Sequence, residues 1–380
     1  MVQKPAHAIA DDHFTPRGAA LRSSRANDDA RRHVFSKYET HWYLGAIDQE
    51  PADEGTLASW WSLMGLPNLP PLVDVLIRQS IQLSTSHLQL RRSLTALPSP
   101  ASQDDGDDTA AYPWIARMAL YQNERLSIIA SFASCYVACL LVSERMQNVV
   151  RGMGQLQAFI DGLADGGAVK SAPAGVITQM HQLHTRHESL ASARDEALLS
   201  LAEFLSEPFD VTYGRVLLDR LPHVPAPKPA IGTPMDMINR RPDLIALNHA
   251  LQMAQSTSAP DGEAVCAASL DYDRARLGAR TEVERAIRRM RAHNNALPAI
   301  RECVLVGERS IRQLEDEVLR GRAPLESLAH AHYELCIRRD HEIECRGSTY
   351  LASIDIYRAI GGGWPSEGYL NADQPLEPVK

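Results

Sequence analysis

Aromatic residues are scarce in this chain: Phe, Trp and Tyr make up 6% of it, against 44% for all hydrophobic types. With so few rings, packing falls to Leu, Ala, Ile and Val, which suits helix against helix better than a sandwich or a barrel. A strong charge of one sign is missing too. The net charge is −8 over 380 residues, which argues against the basic surface of a general nucleic-acid binder. The local cluster of Arg285, Arg288, Arg289 and Arg291 lies among acids and reads as a solvated helix face.

The six cysteines contain no CxxC pair and define no disulfide framework, so they do not fix a compartment. Cys135 and Cys139 are four apart on an apolar stripe and read as small buried hydrophobes. Residues 1–50 hold no continuous apolar run, so no h-region of a secretory signal is expected there, and no cysteine for lipid attachment. Nowhere does an uninterrupted apolar run reach about 18 residues, so no transmembrane helix is expected. Reactive motifs are absent as well: there is no GxSxG, P-loop, HExxH or paired CxxC. His181, His184 and His187 follow at i, i+3 and i+6, which spreads the first and third about 240° around a helix. Such an arc does not converge on one ion. His330, His332 and His341 lie near carboxylates as ordinary helix-face pairs. No catalytic residue, cofactor or metal site is expected.

What the chain does have is heptad spacing. From Ile128 the apolar positions run Phe132, Cys135, Cys139, Val142, Met146, Val149, Met153, Leu156 and Ile160, alternating steps of four and three without a break. A helix with such a seam must pack lengthwise against others. Leu69, Val73, Leu76, Ser80, Leu83, His87, Leu90, Leu94 and Leu97 predict an earlier helix with two polar interruptions. Ile300, Val304, Gly307, Ile311, Leu314 and Val318 predict another. Further helices are expected over Val176 to Leu205, after Pro242, and from Leu325 to Ile360.

Polar breaks fall at Pro98 to Thr109 and Ser256 to Gly262, and glycine turns at Gly162, Gly166 and Gly167 and at Gly321. A proline-rich stretch from Pro222 to Pro234 reads as an extended linker. Each half therefore reads short helix, polar break, long helix, glycine turn, long helix. The expected fold is all-α, with two repeated long α-helical hairpins of coiled-coil type. The boundaries expected are a disordered arm over 1–56, a first repeat over 57–221 turning near 162–170, the linker over 222–234, a second repeat over 235–364 turning near 321–324, and a flexible tail over 365–380.

The residues around these breaks resemble a known family. Arg240-Arg241-Pro242-Asp243-Leu244, after the linker, is similar to the RRPD-I/L signature that opens the second half of outer membrane factors, the channel-tunnel subunits of tripartite efflux pumps. Ile356-Tyr357-Arg358-Ala359-Ile360-Gly361-Gly362-Gly363-Trp364 resembles the family's LYKALGGGW-type ending. Trp60-Trp61, followed by Leu69, Leu72 and Ile77, is similar to its opening pattern, and Leu319-Arg320-Gly321 to its approach to a hairpin tip, without the tyrosine. The resemblance spans roughly 57–364. It implies a trimer, a passive helical tunnel for efflux, structural roles for Trp61, Arg240, Arg241, Pro242, Asp243, Gly361, Gly362, Gly363 and Trp364, and contact with a periplasmic adaptor at Gly162, Gly166, Gly167, Arg320, Gly321 and Arg322.

The sequence departs from the family where its outer-membrane strands would be inserted. A spanning hairpin needs roughly 20 residues or more. Between Leu97 and Tyr112 there are 14 residues, four of them aspartate, and between Ala254 and Leu270 the only apolar cluster is Ala264 to Ala268. The family's Asn-x-Asp appears as Ser84 and Ser86, and its alanine-glutamate as Leu247-Asn248. The barrel strands are therefore expected to be absent or vestigial. The resemblance implies the outer membrane and periplasm, while the missing signal, anchor and strands leave the location open. The alternative reading is a soluble, barrel-less descendant acting as a scaffold without transport.

Overall fold

A computed structural model describes residues 42, 57–96, 112–165, 173–216, 220–256 and 262–362. Among them every regular element is helical, with no strand. A 3-10 turn over Trp60–Met64 precedes α1 (Leu69–Gln79) and α2 (Ile81–Thr95). Then come α3 (Tyr112–Asp165), α4 (Ala174–Leu205) and α5 (Phe209–Val216). The second half holds α6 (Pro234–Arg240), α7 (Pro242–Ser256), α8 (Gly262–Leu319) and α9 (Leu325–Ala359).

The long elements form two antiparallel hairpins, α3 with α4 and α8 with α9. They join along α3 and α9, while α7 packs on both α3 and α8. At 54 and 58 residues, α3 and α8 each extend about 80 Å or slightly more. Every position of the long seam from Ile128 to Ile160 is buried or half-buried. The adjoining face of α3 is buried too, through Ile129, Ala133, Tyr136, Val137 and Leu140. One heptad seam meets one partner, and α3 has several. The uncharged run from Leu126 to Ser143 makes α3 long and apolar enough, by length and composition alone, to cross a membrane. That differs from the expectation, because Ser127, Ser131, Ser134 and Ser143 break the run without adding charge. More than half of the apolar window is buried inside the protein, so its composition is accounted for by its place in the core.

Local chemistry sets the element ends. In α6, Thr233 Oγ1 accepts from the Asp236 backbone N–H at 3.2 Å, and Asp236 Oδ2 accepts from the Thr233 N–H at 2.7 Å. This reciprocal cap, with Pro234 in the first turn, starts the helix inside the stretch expected to be linker. Proline disfavours helical backbone in the residue before it, so Arg241 is extended (ψ 121°) and α7 restarts at Pro242.

Three expectations are corrected, and the reach of one helix beyond its seam is added. The helix expected from Leu69 to Leu97 breaks at Ser80, whose extended backbone (ψ 122°) ends α1 and whose hydroxyl caps α2. Beyond the break Ser86, rather than His87, takes the buried position. Gly162 does not interrupt a helix; it is an exposed residue inside α3, which continues to Asp165. Helix α8 begins at Gly262, far ahead of Ile300, and runs through Pro298. An interior proline removes a ladder bond and costs about 3 kcal/mol, so packing of neighbours such as the buried Leu297 must hold the helix there. The arm over 1–56 lies outside the described residues except for Trp42, which is buried and donates from Nε1 to the Gly232 carbonyl at 2.8 Å. Gly166, Gly167, Gly363, Trp364, the break at 98–109 and the tail over 365–380 also lie outside the described residues.

Candidate functional site: the hairpin ends and the ties above them

The second hairpin turns at Arg320 to Pro324. Helix α8 closes when the Gly321 N–H donates to the Val318 carbonyl at 2.9 Å and the Arg322 N–H to the Glu317 carbonyl at 2.8 Å. Gly321 sits at φ +67°, a left-handed conformation that glycine adopts without side-chain strain. Pro324 then takes extended backbone and α9 begins. Arg320, Gly321 and Arg322 are all exposed at this turn, and Arg320 pairs with Asp316 at 3.6 Å across open surface. An exposed pair of this kind is worth little for stability, which leaves the guanidinium available to a partner.

The first hairpin ends beside the second. A Cβ on Gly175, at the start of α4, would lie 3.1 Å from Glu326 Oε1 at the start of α9. Behind both ends all four long helices share one apolar core: Leu156 and Leu163 from α3, Val176 from α4, Ile311 from α8, and Leu325 and Leu328 from α9. The two ends thus form one blunt tip.

Above the tip, buried polar contacts tie the hairpins together. Asp340 on α9 is 2% exposed. It accepts a fork from Arg145 on α3, Nε at 2.9 Å and Nη2 at 3.0 Å, and a second guanidinium contact from Arg186 on α4. The hydrogen bond to Asp340 raises the Arg145 pKa above its ordinary value, against the opposing effect of burial. Asn148 donates to the Cys336 carbonyl at 2.9 Å. Arg346, 1% exposed, donates to Glu144 on α3 at 2.6 Å and to the Pro222 carbonyl of the linker at 2.5 Å. Sequence reasoning passed over this network. Its signal was present: Asp340 lies four residues after Cys336 and three before Ile343, an acid on an apolar stripe that only a paired charge can occupy.

Motif residues far apart in sequence meet at one place. Arg241 forks onto Asp243 at 2.7 and 3.0 Å, reaches Glu282 on α8 at 2.7 Å, and donates to the Ala359 carbonyl at 2.9 Å. Burial opposes its charge, but Asp243 and Glu282 outweigh that and raise its pKa. Pro242 starts α7 and Arg240 is buried. Gly361 (φ +76°) lies against this turn so closely that a Cβ would stand 2.9 Å from Arg241 Cα. Gly362 abuts Leu57 and the ring of Trp60. Trp60 stacks on Tyr357 at 5.3 Å and meets Trp61 edge-on at 5.7 Å.

Burial pushes the thiols of Cys135 and Cys336 up to about 11 and that of Cys139 to about 12, so these sulfurs stay protonated and inert. His332 is buried 3.8 Å from Glu315; burial, with a smaller effect of Arg339, lowers its pKa. His181 and His184 are exposed, and His187 is half-buried. Among the described residues no three His, Cys, Asp or Glu side chains gather as a metal site.

The fold matches solved membrane-channel structures over nearly their whole length. The outer-membrane channel OprN superposes with a TM-score of 0.72 at 16% identity, covering 86% of this chain and 97% of that one. The open-state MtrE outer membrane channel of Neisseria gonorrhoeae gives 0.64 at 14% identity, over 86% and 97%. The outer membrane protein VceC of Vibrio cholerae gives 0.63 at 13% identity, over 81% and 99%. No protein-family model and no curated protein matches the sequence. At these identities the likeness is one of fold: this chain has the helical-tunnel fold of these outer-membrane channel structures.

Proposed function

We propose that this chain is one subunit of a helical tunnel that acts as a passive conduit for efflux. The observation that carries the reading is the pair of hairpins, α3–α4 and α8–α9, ending together in one tip. A wall of this kind encloses a path only when several copies close into a ring, and a trimer is the ring expected by analogy with the family. Exposed apolar side chains on the outlying helices support self-association: Ile177 and Leu199 on α4, and Leu277, Leu305 and Val306 on α8, are each 45–59% exposed. In the ring the tips carry Arg320, Gly321 and Arg322 at one opening, where an adaptor with helical hairpins of its own would dock.

Electron microscopy of the purified protein tests this reading. End-on views of a threefold ring around a solvent-filled centre are expected. Particles of single-chain size, without a central opening, would overturn it.

A further inference from the structure

The arginine cluster of α8 has a counterpart on the opposite edge of the molecule. Among the long helices α4 packs on α3 and α9, and α8 on α9, so α4 and α8 are the two outer ones. Along α4, Glu188, Ser192, Glu196, Leu199 and Glu203 follow at steps of three and four and are all exposed. Along α8, Arg285, Arg288, Ala292 and Asn295 do the same. Each row faces away from its own chain. The first lies across α4 from the buried Leu198 and Leu205, the second across α8 from the buried Val283 and Met290.

The two rows carry opposite charge. Between Arg285 and Arg301 the sequence holds no acid. Arg289 is taken by Asp355 at 2.9 Å, whereas the guanidiniums of Arg285 and Arg288 form no ion pair or hydrogen bond among the described residues. From Glu188 to Leu205 the one base is Arg194, half-buried against Met146 and the ring of Tyr213. The carboxylates of Glu196 and Glu203 form no ion pair or hydrogen bond among the described residues.

The rows also stand at one height. Cys135 on α3 is level with Ala197 on α4, whose carbonyl accepts from its thiol at 3.4 Å. Leu141 on α3 abuts Gly347 on α9. Helix α3 ends at the tip and α9 begins there, so the two run antiparallel. Moving from Leu141 back to Cys135 on α3 therefore corresponds to moving from Gly347 forward to Ser353 on α9. Just beyond, Asp355 pairs with Arg289 on α8. Copies related by rotation about an axis along the helices keep the same height. Glu203 of one copy then comes within about one helical turn of Arg285 of the next, and Glu196 of Arg288.

We propose that α4 of one copy docks antiparallel on α8 of the next, with Glu203 and Glu196 pairing with Arg285 and Arg288. Leu199, 55% exposed in the single chain, is covered between the pairs. Flanking charges of this kind set partner choice and register between helices. The contact joins two different faces, so it is head-to-tail and closes into a ring. It rests on the tunnel reading and names the faces by which the tunnel assembles.

The test is light scattering on a sizing column for the full chain and three charge variants. Glu196→Arg with Glu203→Arg reverses one row, and Arg285→Glu with Arg288→Glu reverses the other. Each double change sets like charges together at every contact and should raise the concentration needed for assembly about a hundredfold. The variant with all four changes restores opposite charges and should assemble like the wild type. All four side chains are exposed, and unchanged helicity checks the fold of each variant. A wild-type trimer that both double changes leave intact would overturn this interface while the tunnel stands, and so would failure of the fourfold variant to reassemble. A wild type of single-chain mass at every concentration would overturn the tunnel and this interface with it. An Arg285→Glu, Arg288→Glu variant that stays trimeric but no longer sediments with phosphatidylglycerol vesicles would assign the arginine row to a lipid surface instead.

Discussion

At the scale of single residues, the fold places its charges where they are hardest to remove. Asp340 is buried between two guanidiniums from two other helices, and neutralising it strands both. Asp340→Asn should lower unfolding stability by about 3 kcal/mol, the cost of breaking a buried pair from one side. A urea melt measures it, and a loss below about 1 kcal/mol would mean that the tie behaves as a surface pair. The cysteines divide by environment. Cys266 and Cys303 are exposed and should react with Ellman's reagent within minutes at pH 8, whereas Cys135, Cys139, Cys336 and Cys345 should wait for unfolding. The raised thiols also give stability a pH dependence. Their folded pKa values of about 11 to 12 exceed the ordinary 9.0, so the stability they confer is present below pH 9 and is lost as pH rises through that window. Urea midpoints taken between pH 8 and 11 should fall, and a flat profile would contradict it.

At the scale of elements, glycine separates turns from uninterrupted helix. Gly361 has both a left-handed backbone and the Arg241 backbone at contact distance, while Gly321 has the first constraint only. Gly361→Ala should therefore destabilise more than Gly321→Ala, for which a cost of about 1 kcal/mol is expected. Gly162 is the reverse case: it is helical, and a methyl group there meets nothing within 4 Å. Gly162→Ala should stabilise by about 0.5–1 kcal/mol, and a loss of stability would restore it as a turn residue.

The same elements show what was legible in the sequence. The seam from Ile128 to Ile160 announced α3 because heptad spacing is a one-dimensional signal of lengthwise packing. The start of α8 was legible only from the polar break that ends at Gly262, since from there its apolar residues serve α7 on one side and α9 on another, and no single seam results. The break at Ser80 was visible only as a polar interruption; its meaning depends on the bond from the Ile81 N–H to Ser206, a residue far along the chain. Of the Arg145–Asp340–Arg186 tie only half was legible: Asp340 stands as an acid on the stripe of Cys336 and Ile343, but its partners on two other helices have no spacing to read.

At the scale of the whole molecule, one chain has the packing of a wall. Helix α9 carries none of the large exposed apolar side chains, whereas α8 carries leucine and valine side chains exposed along its length, α4 carries Ile177 and Leu199, and α3 carries Leu120 and Val150. Apolar area left to water at this density favours association at roughly 25 cal/mol for each Å² covered, opposed by the entropy of bringing subunits together. The balance is what decides between a tunnel and a lone bundle. The most direct measurement is molar mass by light scattering on a sizing column without detergent. A mass three times that of one chain, stable on dilution, is expected; a mass of one chain at every concentration would contradict the tunnel.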